Sequence, residues 1–254
     1  MHKTLRTALL PVFLFVVAGL LVVAGSYGQT GKSAAKAAED AAKALTDRWS
    51  RPALLIVDMQ NDFVRVGAPM EVPDARATIA QHKQLIAFCR KAGIPVIYTR
   101  FLSGPHPTLV WNWSPKLAPP VMACRKGHNR YYEDIKKSVD CADIIEEIYP
   151  EPGDPIIDKF GYGAFYSTNL DNTLRSLGVE SLLLTGTVTQ ICVEETGREA
   201  FHHGYKTTLI TDAVSSYMPD LHAAAIKNFG LKYGWTMSTD QALKELSAYL
   251  KSQN

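Results

Sequence analysis

A doubly wound α/β domain, with a mostly parallel six-stranded sheet and helices on both faces, is the fold class this sequence predicts. Three observations predict it. Residues 53–57 (ALLIV) and 181–185 (SLLLT) are apolar runs with little alternation, the pattern of strands buried on both faces. Segments with helical spacing alternate with such runs along the chain. Glycines stand where the helices should stop, at Gly93, Gly178 and Gly204.

The elements follow in order. The run 53–57 is the first strand and ends at Asp58. Ile79, Leu85, Ile86 and Cys89 share one face of a helix predicted over 74–92. PVIYT (95–99) is the second strand. Residues 100–137 are rich in Pro, Trp and Gly and have no clear period; a long irregular stretch in a small domain is usually functional. A short helix is predicted over 141–148, then a third strand, PIID (155–158), leading into Lys159. A helix over 169–177, the fourth strand, a helix over 190–203 and a fifth strand, KTTLIT (206–211), come next. A helix over 220–229, a sixth strand over 235–237 and a last helix over 240–251 complete the domain. This rhythm specifies parallel crossover units, whose ligands bind beyond the carboxyl ends of the strands.

The 254 residues are 46% hydrophobic and 20% charged, enough for one substantial core. The formal charge of +2 falls to zero without Lys3 and Arg6 of residues 1–28. A neutral body with no basic stripe argues against nucleic acid as partner. There is no GxGxxG and no P-loop, so a nucleotide cofactor is not expected. The four cysteines, Cys89, Cys124, Cys141 and Cys192, form no CxxC. Cys124 and Cys141 are candidates for a disulfide if the domain is exported.

Export is what the first 28 residues suggest. A short basic start is followed by an apolar run from Ala8 to Ala24 and then by small residues. The 17-residue run suits either a cleaved signal or a short membrane anchor, and membrane contact is expected through this segment alone. Residues 29–50, rich in Ala, Lys and Glu, are expected to be a helical linker. The folded domain is assigned to 51–254.

Asp58, Lys159 and Cys192 are distant in sequence, yet the topology sends all three to one sheet edge. A thiol must become a thiolate to attack a carbonyl. Cys192 at a helix start, with Lys159 nearby, is placed to favour the anion. Asp58 is placed to accept and return a proton. Each residue also has a plainer reading: a buried inert thiol, a turn aspartate, a solvated lysine. In the irregular segment, Trp111, Asn112 and Trp113 either cover a small planar substrate or pack the loop on the body. Phe63, Tyr162 and Phe165 stand beside the three residues and are expected to line the pocket. Glu195 and Arg198, a helical turn apart, are expected to form a structural ion pair.

LLIVDMQNDFV (54–64), IIDKFGYGAFYST (156–168) and LLLTGTVTQICVEETGREAFHHGY (182–205), taken together, resemble the isochorismatase-like cysteine hydrolase family over about residues 51–248. The resemblance implies the triad Asp58, Lys159 and Cys192. It also implies a non-proline cis peptide at Val188–Thr189, turning the N–H groups of Thr189 and Cys192 toward an oxyanion. The retained Cys192 implies C–N hydrolysis of a small-molecule substrate; vinyl-ether hydrolysis and a non-catalytic binding domain are the rivals. His106 stands without the acid of the family's metal-binding branch, so no metal is expected. PEPGD (150–154) and YGWTMSTD (233–240) look like the branch acting on ureido and carbamoyl compounds, such as ureidoacrylate amidohydrolases and biuret hydrolases. A homo-oligomer is expected from the resemblance alone.

Overall fold

The computed structural model describes residues 36, 39, 40, 43–45, 47–104 and 114–253. The chain divides into two compact units, Met1–Thr46 and Asp47–Asn254. The described residues of the first are helical, and the N-terminal apolar run lies outside the described residues. Among the described residues no helix is long and apolar enough to cross a membrane. In the second unit Trp49 is buried and its indole N–H donates to Glu245 at 3.1 Å, so the body is secured just ahead of its first strand.

Six parallel strands form the sheet in the order β5-β2-β1-β6-β7-β8. They are β1 (Pro52–Val57), β2 (Val96–Phe101), β5 (Ile156–Lys159), β6 (Ser181–Thr187), β7 (Lys206–Ser215) and β8 (Trp235–Met237). The helices are α1 (Asn61–Val64), α2 (Ile79–Lys91), α3 (Leu170–Ser176), α4 (Glu194–His202), α5 (Pro219–Lys232) and α6 (Thr239–Ser252). β1 sits at the centre and is buried throughout, as its unbroken apolar run requires. Ala53, Leu55 and Val57 pack with Leu170, Ala200 and Phe229 of α3, α4 and α5. Leu54 and Ile56 point to the opposite face, where α2 lies against the strand and against α6.

Three departures from the sequence reading have local causes. The helix expected over 141–148 is reduced to one 3₁₀ turn, Glu146–Ile148. Asp140 accepts from the Ala142 N–H at 2.9 Å and Asp143 from the Ile144 N–H at 3.0 Å, so short side chains take the donors a helix would need. The irregular stretch runs into an antiparallel hairpin, β3 (Asn129–Tyr132) with β4 (Lys137–Asp140), whose polar, mostly exposed strands show little hydrophobic alternation. The helix expected from Gln190 begins as a wide turn, Thr189–Val193, in which the Val193 N–H reaches the Val188 carbonyl five residues back.

Gly186 explains how β6 can pass β1 beside the site. Its φ is +112°, and a Cβ there would lie 2.0 Å from the Val57 carbonyl oxygen, so glycine alone fits next to the residue preceding Asp58.

His82 on α2 makes stability depend on pH. It is fully buried, its Nδ1 lies 2.8 Å from the Thr78 carbonyl oxygen, and its Nε2 has no partner. Burial lowers its pKa to about 4, against the opposing pull of the Thr78 carbonyl and Asp212. The unfolded chain therefore binds this proton at a higher pH than the folded one. Stability is full above about pH 6.5 and falls as the pH drops toward 4. Between pH 7 and 4.5 the unfolding free energy of the wild type is expected to fall by about 2–3 kcal/mol more than that of His82→Met, as read by urea titration.

Candidate active site

The carboxyl edges of β1, β5 and β6 deliver one group each to a common point. Asp58 follows β1 in a left-handed conformation, φ +50°, which aspartate tolerates better than most residues. Thr99, near the end of β2, holds it: the Asp58 N–H donates to Thr99 Oγ1 at 3.2 Å, and that hydroxyl donates to Asp58 Oδ1 at 2.6 Å. Lys159 is the last residue of β5, and its Nζ lies 2.7 Å from Asp58 Oδ2. The ammonium also donates to the Gly161 and Tyr162 carbonyls at 3.1 and 2.7 Å and lies 5.3 Å from the Phe101 ring centre. Both charged side chains are fully buried. The contact is a close ion pair within the carboxyl edge of the sheet. Burial works against the ammonium, but the Asp58 carboxylate beside it opposes this, and Lys159 stands above the ordinary lysine value.

Cys192 completes the group. The Asp58 carboxylate and the Lys159 ammonium both bear on the charge of its thiol. Burial pushes the thiol pKa up to about 12; Lys159 opposes this and Asp58 adds to it. The resting group is thus the thiol. Lys159 favours the anion in the direction the sequence suggested, but loss of hydration is the larger effect. All four cysteines are free thiols, Cys124 and Cys141 included. Burial also raises Cys89, to about 12, and Cys124. Access distinguishes Cys192, which lines the cavity at this sheet edge.

That cavity, about 440 Å³, is mostly walled by apolar groups. Phe63 and Tyr162 line it, as the sequence suggested, together with Phe101, Val188, Ile191 and Tyr217. Phe165 does not. Its ring stacks on His203 at 4.8 Å and meets Tyr205 at 5.7 Å, while its N–H donates to Glu199 at 2.9 Å, so the core and not the pocket claims it. Asn112 and Trp113, with Trp111 and His106, lie outside the described residues. Among the described residues no three His, Cys, Asp or Glu side chains gather as metal ligands.

The non-proline cis peptide is Thr187–Val188, one bond earlier than the resemblance implied at Val188–Thr189. β6 runs through Thr187, whose hydroxyl donates to the Ser215 carbonyl at 3.2 Å, and the chain changes direction directly after it. Arg198 pairs with Glu194 rather than the expected Glu195, since the guanidinium reaches one full i,i+4 step back along α4.

Several residues were not singled out from the sequence. Gln60 donates to the Phe101 and Ala142 carbonyls at 2.9 and 2.7 Å and accepts from the Phe101 N–H at 2.7 Å. Asn61 donates to the Asp140 carbonyl at 3.0 Å. Asp62, fully buried, accepts from the Cys124 N–H, Arg130 and the Tyr132 hydroxyl at 2.8, 2.9 and 2.7 Å. These three follow Asp58 closely, so the motif itself carried the signal. Thr99 and Phe101 had a topological signal, because they end a strand beside β1.

Beside this parallel sheet with a thiol, a carboxylate and an ammonium at its carboxyl edge stands a sequence match: residues 52–241 match the isochorismatase domain, and the chain belongs to that family. It is 35% identical to the ureidoacrylate amidohydrolase RutB of Methylobacterium radiotolerans over 72% of this chain and 74% of that one. It is 33% identical to RutB of Pseudomonas syringae pv. syringae over 74% and 80%. Among solved structures it is similar to N-carbamoylsarcosine amidase from Thermoplasma acidophilum, with a TM-score of 0.62 and 28% identity over 75% of this chain and 98% of that one.

Proposed function

We propose that this protein is a cysteine-dependent amidohydrolase that cleaves a C–N bond in a small amide, ureido or carbamoyl compound. One observation carries the reading: a thiol on the cavity wall is electrostatically coupled to a buried carboxylate that is itself paired with a buried lysine. The named activities of the relatives, ureidoacrylate amidohydrolase and N-carbamoylsarcosine amidase, support the same bond type.

Asp58 takes the Cys192 proton as the sulfur attacks the carbonyl carbon, so no free thiolate has to persist in the buried site. Lys159 keeps positive charge beside the two groups while the proton moves. The N–H groups of Thr189 and Cys192 hold the developing oxyanion, a kind of contact worth about 10²–10³ in rate. Asp58 then protonates the leaving nitrogen, and amine or ammonia departs. The remaining thioester, or thiocarbamate when a carbamoyl carbon is attacked, is opened by water that gives its proton to Asp58. Collapse expels the sulfur, which takes the proton back. Every proton in the cycle passes through Asp58, and no redox step is needed.

The sequence of the first 28 residues supports export or membrane anchoring, which fractionation of cells expressing the full chain would test. For the activity, ammonia release from a panel of small amides and ureido compounds is measured on the full chain before and after iodoacetamide treatment. Release that stops on alkylation of Cys192 is the expected result. Release that continues at the same rate with Cys192 fully alkylated would sink the thiol mechanism.

A further inference from the structure

The turn that carries Cys192 is fastened from beyond the sheet edge. Thr189 opens that turn and is 1% exposed, and its hydroxyl oxygen lies 2.9 Å from Nδ1 of His222 on α5. The other ties close the turn on itself, with the Ile191 and Val193 N–H groups both donating to the Val188 carbonyl, at 3.1 and 3.2 Å. The Gln190 amide has no partner, and Ile191, Cys192 and Val193 bring no second polar tether to a helix. Among the described residues, Thr189–His222 is therefore the side-chain hydrogen bond that joins this turn to a neighbouring helix. α5 packs along the turn, so the bond runs between two elements already in contact.

The imidazole is itself well placed. The backbone beneath it is tied: the His222 main-chain N–H donates to the Met218 carbonyl at 2.9 Å, and the Met218 N–H donates to Ser216 Oγ at 2.9 Å, so the first turn of α5 is fastened at the end of β7. Burial pulls His222 below the ordinary histidine range, with Asp74 opposing. The ring is thus neutral near pH 7. With its proton on Nε2, Nδ1 is free to accept from the Thr189 hydroxyl, the tautomer we assign.

We propose that His222 is a positioning residue for the reaction: by holding Thr189 it fixes the turn Thr189–Val193 and keeps the Cys192 thiol within reach of Asp58. The inference rests on the reading of Cys192 as nucleophile. His222 touches neither the thiol nor the cavity, and its effect passes through a single hydroxyl.

The test uses Thr189→Val, which keeps shape and removes the hydroxyl, His222→Phe, which keeps a ring and removes the acceptor, and the double variant. Two quantities are read on protein shown to be folded by its melting transition: kcat and KM on the best amide of the panel, and the rate at which iodoacetamide alkylates Cys192. Each single variant is expected to lower kcat about tenfold, the order of one lost hydrogen bond, with KM within about twofold. The double variant is expected to be no slower than either single one, because both act through the same bond. Alkylation is expected to slow about threefold in all three, since a looser turn takes the thiol from its base. His222→Gln, which returns an acceptor near the hydroxyl, should recover part of both rates. Unchanged kcat and alkylation in the folded single variants would overturn the proposal, as would losses that multiply in the double. Should the wild type turn over no amide, the hydrolase reading fails, and alkylation alone decides: equal slowing upholds the tether, and no slowing removes it. If His222→Phe does not fold, Thr189→Val carries the same comparison.

Discussion

Lys159→Met is expected to lower the unfolding free energy by about 3–5 kcal/mol and to remove turnover with it. The substitution keeps most of the volume but strips the charge from a fully buried position. Asp58, equally buried, then has no counter-ion, and the Gly161 and Tyr162 carbonyls lose their donor. A buried pair contributes little net stability as a pair, yet breaking it leaves the uncompensated partner in a medium that solvates it poorly. Urea unfolding of Lys159→Met and of the double variant Lys159→Met/Asp58→Asn separates the two effects. The double variant should regain part of the lost stability and none of the activity. A double variant no more stable than the single one would show that the carbonyls, and not the stranded carboxylate, dominate the loss.

Cys192→Ala is the largest expected change in rate. If the sulfur forms the covalent intermediate, its removal should lower kcat at least about a thousandfold on any amide or ureido substrate. Stability should change by only about 1 kcal/mol, because one small atom is lost from a side chain that borders the cavity. Substrate should still bind, so KM or a direct binding measurement should stay near the wild-type value. The same variant separates the rival chemistry. A vinyl-ether hydrolase of the isochorismate type has no need of the thiol, and an activity of that kind that persists in Cys192→Ala would assign the site to proton transfer by Asp58 alone.

Much of this site could be read from the sequence because the strands that carry it are apolar runs with abrupt ends. Parallel topology turns three distant residues into neighbours, and the run ending at Asp58 and the segment ending at Lys159 marked those ends without further information. Cys192 was legible in the same way, as a thiol at the start of the helix after the fourth strand, and the motif around it also carried the family resemblance. What could not be read depends on balance rather than position. The helix start and Lys159 both argue for a thiolate, and only the extent of burial shows that the thiol prevails. Phe165 sits in the sequence like a pocket residue, but a single turn of backbone directs it to His203 and Tyr205. The β3–β4 hairpin stayed hidden because its strands are polar and mostly exposed, so period-two hydrophobicity had nothing to register.

Gln60, Asn61 and Asp62 anchor the stretch behind the cavity. Through them the segments around Cys124, Arg130 and Tyr132, and the backbone at Asp140 and Ala142, are riveted by largely buried hydrogen bonds to the stretch that follows Asp58. The candidate base thus inherits its rigidity from segments that do not themselves line the cavity.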